Sequence, residues 1–208
     1  MKWILLSLIS IFLIGCGPDL DDPKELDTII EEALSGDKLQ RRGEGDKRLY
    51  YEPNNPDPFT GWVKQMSDSG QVTELAQIKD GKPNGLFAEW SSNGQMVSKG
   101  EYKDGTLHGD ITRWHENGQK SFEGEAKDGE LHGDVTKWYE NGQKGVESEW
   151  ENGKPFKARV WLPNGTDCRD TNLQDGNGIV VVYDDDGEEL SRSVFKDGNE
   201  VPVIEVSD

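Results

Sequence analysis

The sequence predicts an all-β protein: an elongated antiparallel β-meander of repeated hairpins, forming a single-layer twisted sheet, with one short helix near the N-terminus. Three observations predict it. The run Gly85-Leu-Phe-Ala-Glu-Trp90-Ser-Ser-Asn93-Gly94-Gln95 returns 24 residues later as Gly109 to Gln119, and again as Gly133 to Gln143. Repetition at a fixed period marks an array built by stacking one supersecondary unit. Eleven residues after each of Gly70, Gly94, Gly118, Gly142, Gly165 and Gly187 stands a second turn glycine, at Gly81, Gly105, Gly129, Gly153, Gly176 and Gly198, each preceded by Asp or Asn. Such pairs supply the positive φ angles of tight hairpin turns, and the interval leaves room for an ordinary strand on each side. The third observation is the set of columns obtained by aligning the six units on the first glycine.

Four residues before that glycine stand Met66, Trp90, Trp114, Trp138, Trp161 and Tyr183. Eight residues after it stand Ile78, Tyr102, Ala126, Trp150, Leu173 and Phe195, and at plus six the small residues Ala76, Gly100, Gly124, Ser148, Thr171 and Ser193. Positions plus six and plus eight share a face, because strand side chains alternate with period two, so large and small groups can interlock there. The opposite face reads as Lys, Arg, Glu and Gln, except for Val63, Phe87, Ile111, Val135, Ala158 and Val180, seven residues before the glycine. One face is expected to be well buried, and a strip of the other.

Taken in order, residues 1–15 read as a lipoprotein signal peptide: Met1-Lys2 precedes an apolar stretch from Trp3 to Ile14 that is too short to span a bilayer. Leu13-Ile14-Gly15-Cys16 resembles the lipobox of bacterial lipoproteins, which makes Cys16 the expected lipidation site. The predicted address is the bacterial cell envelope, lipid-anchored; Gly17 rather than Asp behind the Cys favours the outer membrane in a Gram-negative cell. Residues 16–37 form a linker and a helix, with Asp22 as cap, Pro23 in the first turn, Leu26, Ile29, Ile30, Ala33 and Leu34 on one side, and Gly36 as terminator. Residues 38–60 hold a capping hairpin turning through Gly43 and Gly45, ending at Tyr50-Tyr51, then a Pro-rich loop. The six repeats fill 61–200, the last two shortened as terminal units often are, and 201–208 reads as a C-terminal edge strand made unfit for further pairing by Pro202 and its acidic flanks.

Removal of the leader takes away Lys2 and moves the net charge from −18 to −19. Such a surface excludes nucleic acid as a partner and adhesion to anionic lipid by charge. The acid is uneven, with eleven Asp or Glu between Asp170 and Asp208 against Arg192 and Lys196. It reads as a solvated surface or as a docking face for a basic partner. With Cys16 lipidated, Cys168 is the remaining thiol, so stability must come from packing, and a small filler near a turn is its expected role, with a reactive thiol as the alternative.

Tyr50-Tyr51, Pro58-Phe59-Thr60-Gly61 and the recurring Lys79-Asp-Gly81, Lys103-Asp-Gly105 and Lys127-Asp-Gly129 resemble the MORN-repeat variant of bacterial proteins, the group known as YwqK-type antitoxins. The resemblance runs from about residue 39 to 198. The resemblance implies a MORN-like sheet and a protein partner, which in the antitoxin group is a toxin neutralised by direct binding.

No Ser-His-Asp, Cys-His or paired-acid arrangement stands out from the repeat background, so no enzyme activity, cofactor or metal is expected. His108 and His132 recur in Leu107-His-Gly-Asp110 and Leu131-His-Gly-Asp134, one unit and therefore about 9–10 Å apart, too far for easy joint ligation. Asp184-Asp-Asp-Gly187 occupies a turn slot and lacks calcium-loop spacing. The remaining candidate is the aromatic ladder Trp90, Trp114, Trp138, Trp161 and Tyr183, which either packs as core or, if left uncovered on a single-layer sheet, forms a binding groove. The expected function is that of a membrane-anchored, non-enzymatic interaction scaffold, with an antitoxin or immunity protein as the alternative.

Overall fold

The computed structural model describes residues 17–202; the leader, Cys16 and residues 203–208 lie outside them. Helix α1 (Pro23–Glu32) begins where Asp22 accepts a hydrogen bond from the Lys24 N–H at 2.8 Å, with Pro23 in the first turn. It stops at Ala33, earlier than the expected Gly36, because Leu34 and Ser35 leave the helix as a two-residue strand, β1 (Leu34–Ser35). β1 pairs in parallel with β4 (Gly61–Met66), so the sheet is mixed at its first edge. β2 (Gln40–Arg42) and β3 (Leu49–Tyr51) form the small capping hairpin.

The repeats then run as β5 (Val72–Lys79), β6 (Lys82–Trp90), β7 (Met96–Lys103), β8 (Thr106–Leu107), β9 (Gly109–Trp114), β10 (Lys120–Lys127), β11 (Glu130–Trp138), β12 (Lys144–Glu151) and β13 (Lys154–Val160). With β1 and β4 they make one 11-stranded sheet in which neighbours in sequence are neighbours in space, β8 pairing with β7 beside β9. At each of the second turn pairs, Asp80-Gly81, Asp104-Gly105, Asp128-Gly129, Asn152-Gly153, Asp175-Gly176 and Asp197-Gly198, both residues have positive φ, for example 51° at Asp104 and 91° at Gly105, as a two-residue hairpin turn with the twist of the strands requires. The glycine N–H of each of these turns donates to the preceding unit: Gly105 to the Pro83 carbonyl at 2.8 Å, Gly129 to Leu107 at 2.9 Å, Gly153 to Leu131 at 3.0 Å. The 24-residue repeat is thus written into a hydrogen-bond ladder along one edge of the array.

The opposite edge carries a second ladder. There the hairpins turn through three residues with a bulge, shown by the Ser91 N–H to Gln95 carbonyl and Gly94 N–H to Ser91 carbonyl bonds and by the register shift between Glu89 and Trp90. His115 Nε2 lies 2.8 Å from the Trp138 carbonyl, and Tyr139 Oη donates to the Trp161 carbonyl at 2.7 Å. Since a carbonyl only accepts, His115 carries its proton on Nε2. Gln95 and Gln119 add amide bonds to the His115 and Glu140 carbonyls.

These turns overturn the assignment of faces made by counting residues. Phe87 lies opposite Gly100, Ile111 opposite Gly124 and Val135 opposite Ser148, so the column seven before the glycine shares its face with the columns at plus six and plus eight. Alternation holds within a strand, but the parity between two strands is set by the turn and its bulge. On this face Phe87, Ile111, Ala126, Val135 and Ala158 are buried. A methyl group on Gly124 would lie 2.9 Å from Val135 Cγ2, and one on Gly100 2.9 Å from Phe87, so the small column exists to receive side chains of neighbouring strands.

The aromatic ladder starts on the other face, the one α1 covers. There Leu20, Ile29, Ala33, Leu75 and Ala88 form a buried cluster, with Trp62, Leu86 and Trp90 packed against it. Burial of each large apolar side chain contributes about 1.5–3 kcal/mol, and α1 and the segment before it supply the second layer the sheet lacks.

The run of hairpins loses regularity after β13. The second arm of the fifth unit is irregular, although Cys168 N–H still reaches the Val160 carbonyl at 2.8 Å and Asn172 N–H the Ile179 carbonyl at 2.9 Å. Thr171 Oγ1 and Asn172 Oδ1 accept from the Val181 and Ile179 N–H groups at 2.9 and 2.8 Å, side chains standing in for a backbone ladder. β14 (Gly178–Tyr183), β15 (Glu189–Lys196) and β16 (Asn199–Val201) then form a separate three-stranded sheet. Val181, Cys168, Val160 and Val146 close a second buried cluster between the two sheets.

Candidate interaction face

The five ladder residues are all half-buried, and each meets different neighbours. Trp90 packs on the α1 cluster. Lys99 Nζ sits 5.8 Å from the Trp114 ring centre, and the Arg159 guanidinium lies 4.8 Å from that of Trp161. The backbone carbonyls of Trp138 and Trp161 receive the inter-unit bonds from His115 and Tyr139. Tyr183 Oη lies 3.5 Å from Cys168 Sγ. Hydrogen bonding to Cys168 pushes the Tyr183 pKa up to about 12. Burial works to raise the Cys168 pKa, but hydrogen bonds from Tyr183 and Thr171 outweigh it and leave the thiol below its ordinary value.

Beyond α1 the same face changes character. Strand pairing places Glu125 opposite Asp110 and Asp134 opposite Glu149. Glu101 continues this row beside Asp110, the two lining one cleft with Thr112 and Lys99. A parallel row runs through Thr112, Glu123, Thr136, Glu147 and Arg159, each opposite the next. Lys120 pairs with Glu123, Lys144 with Glu147 and Arg159 with Asp167. Like charges directly opposite each other across strands are destabilising. This part of the face includes a cleft of about 480 Å³ lined by Asp134, Thr136, Glu147, Glu149, Lys157 and Arg159, where Lys157 stands opposite Glu149 and Arg159 opposite Glu147.

Sequence reasoning singled out the ladder and passed over this acidic row. A signal for it was present: Glu101, Glu125 and Glu149 recur at one column, and Asp110 and Asp134 at another. That the two columns meet depends on the register across the turns.

His108 and His132 each keep a buried Nδ1 without a hydrogen-bond partner, His108 Nδ1 lying 3.9 Å from Asp128 Oδ1. Among the described residues no group of three or more His, Cys, Asp or Glu side chains comes together as a metal site would require. Asp184 acts within its turn, its Oδ1 accepting the Glu188 N–H at 2.8 Å, while Asp185 Oδ1 accepts the Glu140 N–H at 2.7 Å and ties the last hairpin to the fourth unit. No helix among the described residues is long and apolar enough to cross a membrane.

Fold and face together define a repeat-built β-sheet array. The MORN repeat variant matches the chain at two places, residues 83–104 and 131–152, each the span from one Asp-Gly-edge turn through the aromatic and Asn-Gly to the next. No curated protein matches the chain. Among solved structures, a crystal structure of an S. aureus TarM mutant in complex with fondaparinux, alpha-GlcNAc-glycerol and UDP aligns at 12% identity and a TM-score of 0.29, over 69% of this chain and 25% of that one. The chain therefore spans about a quarter of that protein's length.

Proposed function

We propose that the protein is a non-enzymatic interaction scaffold, held at the bacterial cell envelope by a lipid on Cys16, whose acidic trough docks a basic protein partner. The observation that carries this reading is the row Glu101, Asp110, Glu125, Asp134 and Glu149 on adjacent strands of a regular array. Repeat sheets present extended surfaces of this kind. The lipobox Leu13-Ile14-Gly15-Cys16 supports the address. A defined test is the triple charge reversal Glu101→Lys, Glu125→Lys and Glu149→Lys, compared with the parent for capture of a partner from envelope extracts and for binding of a nona-arginine peptide. Loss of both, in a variant that keeps its circular dichroism, is the expected result. A partner retained in full by the variant, or a turnover activity abolished by one point substitution, would overturn the reading.

The acidic trough also favours a narrower version, in which the partner is a toxin with a basic active-site surface and the protein an antitoxin or immunity protein of the YwqK type. Co-expression with the product of a neighbouring gene distinguishes the two. An antitoxin rescues growth and the triple variant does not, whereas normal growth without the protein, in a strain expressing that neighbour, excludes it.

A further inference from the structure

A few residues behind Cys16, Leu20 and Asp21 are held on the sheet. A methyl group on Gly17 would lie 3.9 Å from Leu86 Cδ1. Leu20 is 6% exposed, within the cluster of Ile29, Ala33, Leu75 and Ala88. The Asp19 N–H donates to Glu25 Oε2 at 2.7 Å, Lys99 Nζ bridges to Asp21 Oδ2 at 2.5 Å, and Asp22 caps α1. Pro18, Asp19 and Leu20 form one wall of a cleft of about 210 Å³ whose other walls include Leu86, Asp110 and Thr112. Four peptide steps separate Cys16 from Leu20, so even fully extended the tether reaches about 14 Å.

We propose that this segment is a clamped tether, so that a lipid on Cys16 holds the helix-covered face of the array directly against a bilayer surface. The proposal rests on the reading of Cys16 as lipidated. A flexible tether would let the array tumble at a distance, but here Leu20 and Asp21 fix the point of attachment beside Leu86, on the same face as the acidic row. The face itself does not attract lipid, since a chain that carries −19 once the leader with Lys2 is gone is repelled by anionic headgroups. Proximity comes from the short clamp alone, and a partner in the trough must approach along the membrane plane.

Neutron reflectometry of the purified lipidated chain on a supported bilayer of phosphatidylethanolamine and phosphatidylglycerol tests this. The protein layer should begin at the headgroups. A flexible Gly-Ser spacer of about twelve residues inserted between Gly17 and Pro18, with a root-mean-square reach of about 20 Å, should open a hydrated gap and broaden the layer. Raising the salt concentration should leave the contact of the parent protein in place. A parent layer as distant and broad as that of the spacer variant overturns the clamp while leaving the lipid anchor standing. A chain that carries no acyl group and fails to bind the bilayer overturns both.

Discussion

Gly124 shows how a residue of the repeat can be fixed by its neighbour. Its backbone is not in the left-handed region, so conformation would permit alanine, but the added methyl would stand 2.9 Å from Val135 Cγ2 in a packed face. Overpacking of this kind costs about 1–3 kcal/mol, and Gly124→Ala should lower the urea midpoint accordingly. Gly105 is the converse case: space is open around it, yet its φ of 91° is one that L-residues avoid. Gly105→Ala should cost about 1 kcal/mol through backbone strain alone. Glu74 lies opposite Glu89, and burial, with the Glu89 charge behind it, raises its carboxyl pKa. A raised folded-state pKa means stability that is fully present below the unfolded pKa and lost as pH rises through the folded one. Glu74→Gln should therefore raise the thermal midpoint at pH 7, with the difference vanishing below about pH 4. Neighbouring strands desolvate the Glu74 carboxyl only in part, since the side chain as a whole is exposed, and solvent screening keeps the gain to a few tenths of a kcal/mol.

At the scale of the element, α1 converts a two-faced problem into a solved one over the first strands only. Its start was legible in Asp22-Pro23, since a cap and a first-turn proline act locally. Its end was not, because Leu34 is drawn out of the helix by pairing with Val63, a partner 29 residues away that no local pattern announces. The hairpins show the same division. Turn chemistry marked them at Asp-Gly and Asn-Gly, whereas the faces and the acidic row depended on register across a bulged turn. In the fifth unit the columns still hold, with Leu173 fully buried, but Thr171 and Asn172 satisfy the adjacent strand through their side chains and no ladder forms. Ile29 is the buried residue of α1. Ile29→Ala should destabilise by about 2–5 kcal/mol and, by loosening the cover over Leu75 and Ala88, should raise binding of an apolar fluorescent dye before the sheet itself melts.

For the molecule as a whole, the decisive property is that both edge ladders step by one unit. Each Asp-Gly turn bonds to the unit before it, and each inter-unit bond at the opposite edge reaches the unit after, so interior units are interchangeable in a way the two ends are not. The N-terminal end is closed by α1, β1 and the β2–β3 hairpin, and the C-terminal end by the second cluster and the β14–β16 sheet. Removal of residues 109–132 would join His108 to Gly133 and restore Leu-His-Gly-Asp at the seam, because Leu107-His108-Gly109-Asp110 and Leu131-His132-Gly133-Asp134 are identical. The shortened chain should fold with cooperative unfolding and lose two strands, which shortens the long dimension seen by small-angle scattering by about 10 Å. Excision of one period from another starting point, residues 97–120, joins Met96 to Ser121, again consecutive positions of the repeat, and should fold as well. A deletion of about half a period is the discriminating control: it superimposes an Asp-Gly edge on an Asn-Gly edge, breaks both ladders, and should give an aggregated chain. Equal stability of the in-phase and half-period deletions would show that the array is not held together by unit-to-unit stacking.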